Sequence, residues 1–395
     1  MDPTDFRRHL HAHPELSFHE TATAAFIAEQ LAAAGIECRP IAGTGVLARI
    51  EGRNPLATPD EEDSGSATPF RRPAVVLRAD IDALPIAEQT GLPYTSQNEG
   101  VMHACGHDLH AAVLFGVLQR LAAAPDFAGT VFGLFQPGEE CNPGGASLVL
   151  AEKPFEGYDV LAVLGEHVEP QLEVGTLGFR AGKYMAANDE LRFRLHGTGG
   201  HGALRPQLKD PVAAAARLIT DLLALNDAEC VLSIGRVEAA GATNVVPDEV
   251  CLEGTLRTFD EDRRAELHRR IAELAAAVDG QHGTHTEVDI DRGYPCVVND
   301  AALVDLATDL AAHLATDLTT PHNLLIRMLP RRTTAEDFGY YGRYYPSLFY
   351  RLGVGAAAGR THTATFAPDE RAIAVGIGFM HRLALQILND KNESK

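Results

Sequence analysis

Within the nine residues from Met102 to His110 the chain places one thiol, Cys105, three imidazoles, His103, His107 and His110, and one carboxylate, Asp108. Cysteine and histidine are soft-to-borderline donors that suit zinc and similar divalent ions. One Cys-x-His pair does not complete a site, so further donors must come from elsewhere. Asp80 and Asp82 follow an apolar run, at the kind of strand end where α/β sheets place ligands, and could bind metal or orient an imidazole from behind. Glu139 and Glu140 are adjacent in a strand-end loop, so one can bind metal while the other faces substrate as a base. Like charges this close are costly unless a cation compensates them. His167 ends a third strand, and His362 is a fourth candidate of the same kind. Polar residues at one strand end are common; at three successive ends, with Cys105 and His107 between them, they are the strongest signal in the chain.

The elements that must position these residues follow from periodicity. Residues 2–34 read as helices stopped by Gly35, with Phe6, Leu10, Phe26, Ile27 and Leu31 at helical spacing. His9, His11 and His13 cannot share one helix face, and are expected at the surface or in local structural roles. Strands are expected over 46–50, 74–77, 129–135 and 159–164. The Pro-, Ser-, Asp- and Glu-rich stretch 53–73 between the first two reads as a solvated insertion. Residues 111–123 read as a buried helix, so Cys105 and His107 lie in the loop entering it. From 183 to about 292 the order strand, helix, strand, strand, helix, strand is the ferredoxin-like pattern. Inside it, the glycine-rich turn 197–203 carries His201, without the spacing of a phosphate loop. Alone, His201 and the later Asn244 are ambiguous. A helix over 301–316, a strand over 348–352 and an apolar helix over 372–388 complete the chain.

At 395 residues, two domains are expected. The net charge of −20, with no basic stripe, argues against nucleic acid and against an anionic membrane surface. No 18-residue apolar run stands out as a membrane span, no signal peptide is visible, and six scattered cysteines fit reduced thiols in the cytoplasm.

The stretches HLHAHPELSFHE (9–20), LRADIDALPI (77–86), HACGHDLHAA (103–112), FQPGEE (135–140), GEHV (165–168), GTGGHGA (197–203), TNVVPD (243–248), AEDF (335–338) and HTATFAPDE (362–370) together resemble the peptidase M20 metallohydrolases. The resemblance is to the amidohydrolase branch that includes hippurate and indoleacetyl-amino-acid hydrolases. It implies an α/β zinc-peptidase-like catalytic domain with a mixed central sheet, over 1–182 and 296–395. A ferredoxin-like dimerisation and lid domain over 183–295 would be inserted into it. It implies two divalent metal ions, zinc, manganese or cobalt, held by Cys105, His107, Glu140, His167 and His362, with Asp80 and Asp82 supporting them. It implies Glu139 as general base, His201 reaching the active site of a partner subunit in a homodimer, and Asn244 and Glu336 binding substrate. The expected reaction is hydrolysis of the amide bond of an N-acyl amino acid. A dipeptidase or aminopeptidase of the same family, or a metal-free thiol hydrolase using Cys105 and His107, are the alternatives. Three departures bear on substrate preference: Cys141 beside the paired glutamates, the acidic Glu166 where an apolar residue is usual, and the long 53–73 insertion.

Overall fold

The computed structural model describes residues 1–54, 71–316 and 325–393; most of the 53–73 insertion lies outside the described residues. The chain divides into two compact units, 1–182 with 298–330 and 340–395, and 183–297 with 331–339.

In the first unit α1 (Pro3–Ala12) and α2 (Thr21–Ala33) precede β1 (Glu37–Ile41), β2 (Gly45–Glu51) and β3 (Arg72–Asp80). Then come α3 (His107–Ala123), β4 (Thr130–Gln136), α4 (Gly145–Ala151), β5 (Tyr158–Glu169) and β6 (Thr176–Phe179), and β7 (Gly182–Met185) begins the second unit. Three strands lie side by side and parallel in the order β4-β3-β5, so their C-terminal ends open on one edge. All but the first residue of β3 and all of β4 are buried, as expected of parallel strands covered on both faces.

Helix α3 crosses this sheet with its N-terminus at that edge. Its residues 107–118 are all buried. α1 docks on it through Phe6 and Phe115, whose rings stack at 4.3 Å; losing such a buried aromatic costs about 3–5 kcal/mol. At Gly116 a Cβ would stand 2.3 Å from Ile377, which is why glycine sits at this helix crossing. His9 of α1 and His13 just after it stack at 4.5 Å, whereas His11 is fully buried, so it is not a surface residue.

The inserted unit contains β8 (Ala187–His196), β9 (Gly200–His201), α5 (Pro211–Leu223), β10 (Cys230–Ala239), β11 (Val245–Val246), β12 (Glu249–Thr258), α6 (Glu261–His282) and β13 (His285–Arg292). Its antiparallel sheet runs β10-β12-β8-β13, and Leu191, Phe193, Leu195, Leu218, Leu252, Leu267 and Ile271 form its own core. Residues 331–339, expected in the catalytic domain, cluster here instead. The backbone of Arg332 bonds Tyr184 O at 2.8 Å, and Arg331 pairs with Glu229 and lies over the Phe259 ring at 4.5 Å.

The chain then adds β14 (Val297–Asn299), α7 (Ala301–Thr316), β15 (Leu325–Met328), β16 (Ser347–Gly353) and α8 (Arg371–Glu393). β16 joins β5 in parallel and extends the mixed eight-stranded sheet, in the order β1-β2-β4-β3-β5-β16-β6-β15. The β1, β6 and β15 strands were not expected. β1 (ECRPI) has no apolar alternation, and β6 and β15 have four residues each. α8 is long and apolar enough to cross a membrane, but it packs on α3 and the sheet, and its apolar composition is that of a core helix.

Candidate metal centre

The edge formed by the ends of β3, β4 and β5 and the start of α3 gathers the candidate donors. Cys105 Sγ lies 3.4 Å from His167 Nε2 and 3.3 Å from His362 Nε2. His362 Nε2 lies 3.2 Å from Glu140 Oε1, and His107 Nε2 stands 3.9 Å from that oxygen and 4.0 Å from Glu139 Oε2. The donor atoms fall into groups each within 4.8 Å: Cys105 with His107 and His167, Cys105 with Glu140 and His362, and His107 with Glu139 and Glu140. Cys105 is common to the first two.

The imidazole tautomers follow from their partners. His107 Nδ1 lies 2.9 Å from Asp82 O, and His167 Nδ1 lies 2.8 Å from Val168 O. A carbonyl oxygen only accepts, so each Nδ1 carries the hydrogen and donates it. In the neutral ring the Nε2 lone pair then faces the donor group, as a metal-binding histidine requires. His107 Nε2 is buried and has no hydrogen bond among the described residues. Such an atom is costly unless something coordinates it. Anions surround it. Burial works against charge on His107, yet Asp80 and Cys105 push its pKa well up; hydrogen bonds to Cys105 and Glu140 push His362 up to about 10. A divalent cation satisfies the same field, so the residues fit a metal.

Asp80 and Asp82 stand behind these donors. Asp82 Oδ1 takes a second share of the His107 Nδ1 hydrogen at 3.1 Å. Its Oδ2 accepts from Ser17 Oγ at 2.7 Å and from Glu140 N at 2.9 Å. Asp80 accepts from His110 Nδ1 at 2.6 Å and from Arg78 Nη1 at 2.7 Å. Burial alone would raise both carboxyl pKa values, but His107, Arg78 and His110 hold Asp80 well down, and His107 holds Asp82 down. Both are therefore carboxylates inside the core. His110 Nε2 in turn accepts from Val168 N at 2.9 Å, tying α3 to the strand that carries His167.

Cys105 and His107 are separated by Gly106, whose φ of 91° and neighbour Val168 leave no room for a side chain: a Cβ would meet Val168 Cγ2 at 2.8 Å. Glu166 and His167 alternate to opposite faces of β5. Glu166 is fully buried and accepts from Tyr350 Oη at 2.9 Å, and burial pushes its pKa up to about 8. It is a core residue, away from the donor edge. Cys141 is exposed beside Glu140.

The remaining candidates sit in the inserted unit. β9 and β11 pair His201 with Val245, and Gly202 N bonds Asn244 O at 2.9 Å, so His201 and Asn244 share one two-stranded ribbon. His201 is exposed, and its Nδ1 accepts from Ala203 N at 3.2 Å. Glu336 is buried and accepts from Phe338 N at 3.2 Å.

Sequence reading missed Ser17, which holds Asp82, and Glu20, whose Oε1 accepts from Gly138 N at 2.8 Å and so holds the loop bearing Glu139 and Glu140. Both lie in the 9–20 stretch, where the cluster of polar residues was the only local signal.

Comparison with known proteins adds to this geometry. The model of Peptidase family M20/M25/M40 matches residues 76–386. An N-acetyl-L-cysteine deacetylase of Bacillus subtilis (strain 168) is 38% identical over 397 residues, spanning 98% of this chain and 89% of its own. An N-acyl-L-amino acid amidohydrolase of Geobacillus stearothermophilus is 38% identical over 75% of this chain and 78% of its own. A Bacillus subtilis crystal structure, described as a dinuclear metal-binding peptidase from the M20 family, superimposes with a TM-score of 0.82 at 33% identity over 98% of each chain. With these matches spanning most of its length, the chain belongs to peptidase family M20/M25/M40.

Proposed function

We propose that the chain is a metal-dependent amidohydrolase that cleaves the amide bond of N-acyl amino acids. Cys105, His107, Glu140, His167 and His362 hold two divalent cations, and Glu139 is the general base. One observation carries this: a single thiol, Cys105, is shared by two three-residue donor groups beside a further carboxylate. The names of the relatives, a deacetylase of N-acetylcysteine and an amidohydrolase of N-acyl amino acids, support the substrate class. Zinc, manganese and cobalt suit a thiolate-containing donor set better than magnesium.

When bound, the cations polarise the scissile carbonyl and acidify the attacking water. The chain's own residues do the rest. Asp82 fixes the His107 ring and, through Glu140 N, the backbone that carries both glutamates. Glu139 Oε2 takes the water's proton and delivers it to the leaving amine, a role worth typically 10²–10⁴ in rate. His201 and Asn244 bind the substrate and its developing oxyanion, and Glu336 contributes to substrate binding. The enzyme is a homodimer through the inserted domain, with His201 serving the partner's site. All six cysteines are free, which supports a reducing compartment such as the cytoplasm.

The test is hydrolysis of a panel containing N-acetyl-L-cysteine, other N-acetyl amino acids, hippurate and dipeptides. It is run before and after chelation, then with zinc, manganese or cobalt restored. Loss on chelation and recovery with metal is expected. Unchanged turnover by verified metal-free protein would instead favour Cys105 as a nucleophile. Mixing Glu139→Ala with His201→Ala chains should recover part of the activity; a verified heterodimer with none refutes the cross-subunit role of His201.

A further inference from the structure

The first turn of α3 is held from three directions. Asp82 holds His107 and Asp80 holds His110. Asp108, between them in sequence, is held by two cationic side chains of α1. Arg7 Nε donates to Asp108 Oδ2 at 2.9 Å, and His11 Nδ1 donates to the same oxygen at 2.9 Å. The three side chains have 0% exposure. Burial works against the charge of His11, but Asp108 and Glu88 push its pKa up to about 9, so it is an imidazolium at neutral pH. Outward, Arg7 Nη1 reaches Glu370 Oε1 at 3.2 Å and His11 Nε2 reaches Glu88 Oε1 at 3.1 Å. Glu88 also accepts from Ser96 N at 2.6 Å. The cluster therefore ties the start of α3 to α1, to the loop before Cys105 and to the start of α8.

Stability alone is a poor reason for this arrangement. Buried ion pairs often stabilise no better than apolar residues of similar volume. This one also leaves Arg7 Nη2 and Asp108 Oδ1 buried without a hydrogen bond among the described residues. Each such atom is a cost. What the cluster does provide is a fixed angle for one turn of helix. Gly106 offers no side-chain cap to α3, so side chains from outside the helix hold its first turn. His107 is on the same rigid turn, one residue away, and its Nε2 must point within a few tenths of an ångström of the other donors.

We propose that Arg7 and His11 are positioning residues of the metal centre, acting through Asp108 to fix the first turn of α3 and with it His107. This rests on the reading of Cys105 and His107 as metal ligands.

Cobalt(II) is the probe, added to the metal-stripped full-length protein and read by its visible and thiolate charge-transfer absorption and by competition with a chromophoric chelator. Asp108→Asn and Arg7→Met should weaken cobalt binding about 10–100-fold, the range for outer partners of metal ligands, and change the intensity of the cobalt bands. Arg7→Lys should recover part of that affinity. Glu88→Gln, at a residue that also accepts from Ser96 N and Thr90 Oγ1, reaches the cluster through the outer nitrogen of His11 and keeps the test alive if Asp108→Asn fails to fold; a loss of about threefold is expected, smaller than that range. Folded variants with wild-type cobalt affinity and spectrum, and only a lower Tm, overturn the proposal while leaving the metal reading intact. A wild-type protein that binds no stoichiometric cobalt overturns both.

Discussion

Replacing Asp82 with asparagine should weaken metal binding about 10–100-fold without unfolding the protein. The carboxylate accepts three hydrogen bonds, from His107 Nδ1 at 3.1 Å, Ser17 Oγ at 2.7 Å and Glu140 N at 2.9 Å. An amide of the same shape has only one acceptor. With its oxygen toward His107, its NH₂ confronts the Glu140 N–H, donor against donor; flipped, it confronts the His107 Nδ1–H. Ser17 can turn its hydroxyl to accept, so one charge-assisted bond is lost, about 1.5–3 kcal/mol. Since each factor of ten is about 1.4 kcal/mol, the loss corresponds to roughly tenfold to a hundredfold. Asp82 O still holds His107 Nδ1 at 2.9 Å, which bounds the effect from above.

The assay is metal affinity by competition with a chromophoric chelator, together with a thermal melt of the metal-free protein. The expected pattern is weaker affinity with most of the Tm retained. Wild-type affinity in a folded Asp82→Asn protein would refute the idea that this carboxylate couples the His107 ring to the loop of the paired glutamates. A collapse of Tm with no change in the affinity of the folded fraction would make Asp82 a packing residue only.

Glu139→Gln keeps the side-chain volume and should lower kcat by about 10²–10⁴ with metal content retained; near-normal turnover, or loss of metal, contradicts its assignment as base. Gly106→Ala forces a side chain into φ 91° and against Val168. It should destabilise by about 1–2 kcal/mol from the backbone alone and weaken metal binding, both read from melts with and without metal; an unchanged Tm would show that the turn tolerates a Cβ. Glu166→Gln should stabilise the protein at neutral pH. The folded pKa of about 8 lies above the unfolded 4.5, so the protonated group's contribution is complete below about pH 4.5 and is lost as pH rises through about 8. The amide isostere has no such titration and should gain on the order of a few kcal/mol at pH 8. Denaturant melts at pH 5 and pH 8 measure it, and equal stability of the two proteins at pH 8 contradicts an elevated Glu166 pKa.

The candidate donors gathered at this edge were legible because their chemistry is local. Cys105 and His107 announce themselves by residue type, and Glu139, Glu140 and His167 by position at strand ends that a parallel sheet brings to one edge. The inserted β-α-β-β-α-β order was legible from periodicity, whereas the mixed sheet came from the family resemblance. The supports were not. Arg7 and His11 meet Asp108 across 101 and 97 residues, and Glu20 meets Gly138 across 118. A pairing at such separation leaves no period in the sequence, and a buried His11 has the same letter as the half-buried His9 and His13 beside it. The displacement of residues 331–339 into the inserted unit was hidden likewise, because backbone bonds of Arg332 to Tyr184 and Ala186 carry it.

Cys105 shows how the surroundings choose between two chemistries for one side chain. A metal-free thiol hydrolase needs a thiolate, and a nearby imidazole to make it. Here burial and the neighbouring Glu140 carboxylate both push the thiol pKa up, and His107 and His362 only partly offset them. The imidazoles nearest the sulfur are also unsuited to act as its base. His362, 3.3 Å from the sulfur, has its pKa pushed up to about 10 and is shared with Glu140 at 3.2 Å, so it already carries its proton and is no base at neutral pH. Burial and Arg351 hold the His167 pKa well down, so it gives the thiol no cationic partner. His107 Nδ1 is committed to Asp82, leaving only an Nε2 already surrounded by carboxylates. What turns this thiol into a thiolate is a cation, which deprotonates a coordinating sulfur outright and is attracted by the very carboxylates that oppose ionisation. The same anions that make Cys105 a poor nucleophile suit it to a cation, and that is the physical reason to read the pair Cys105 and His107 as candidate ligands.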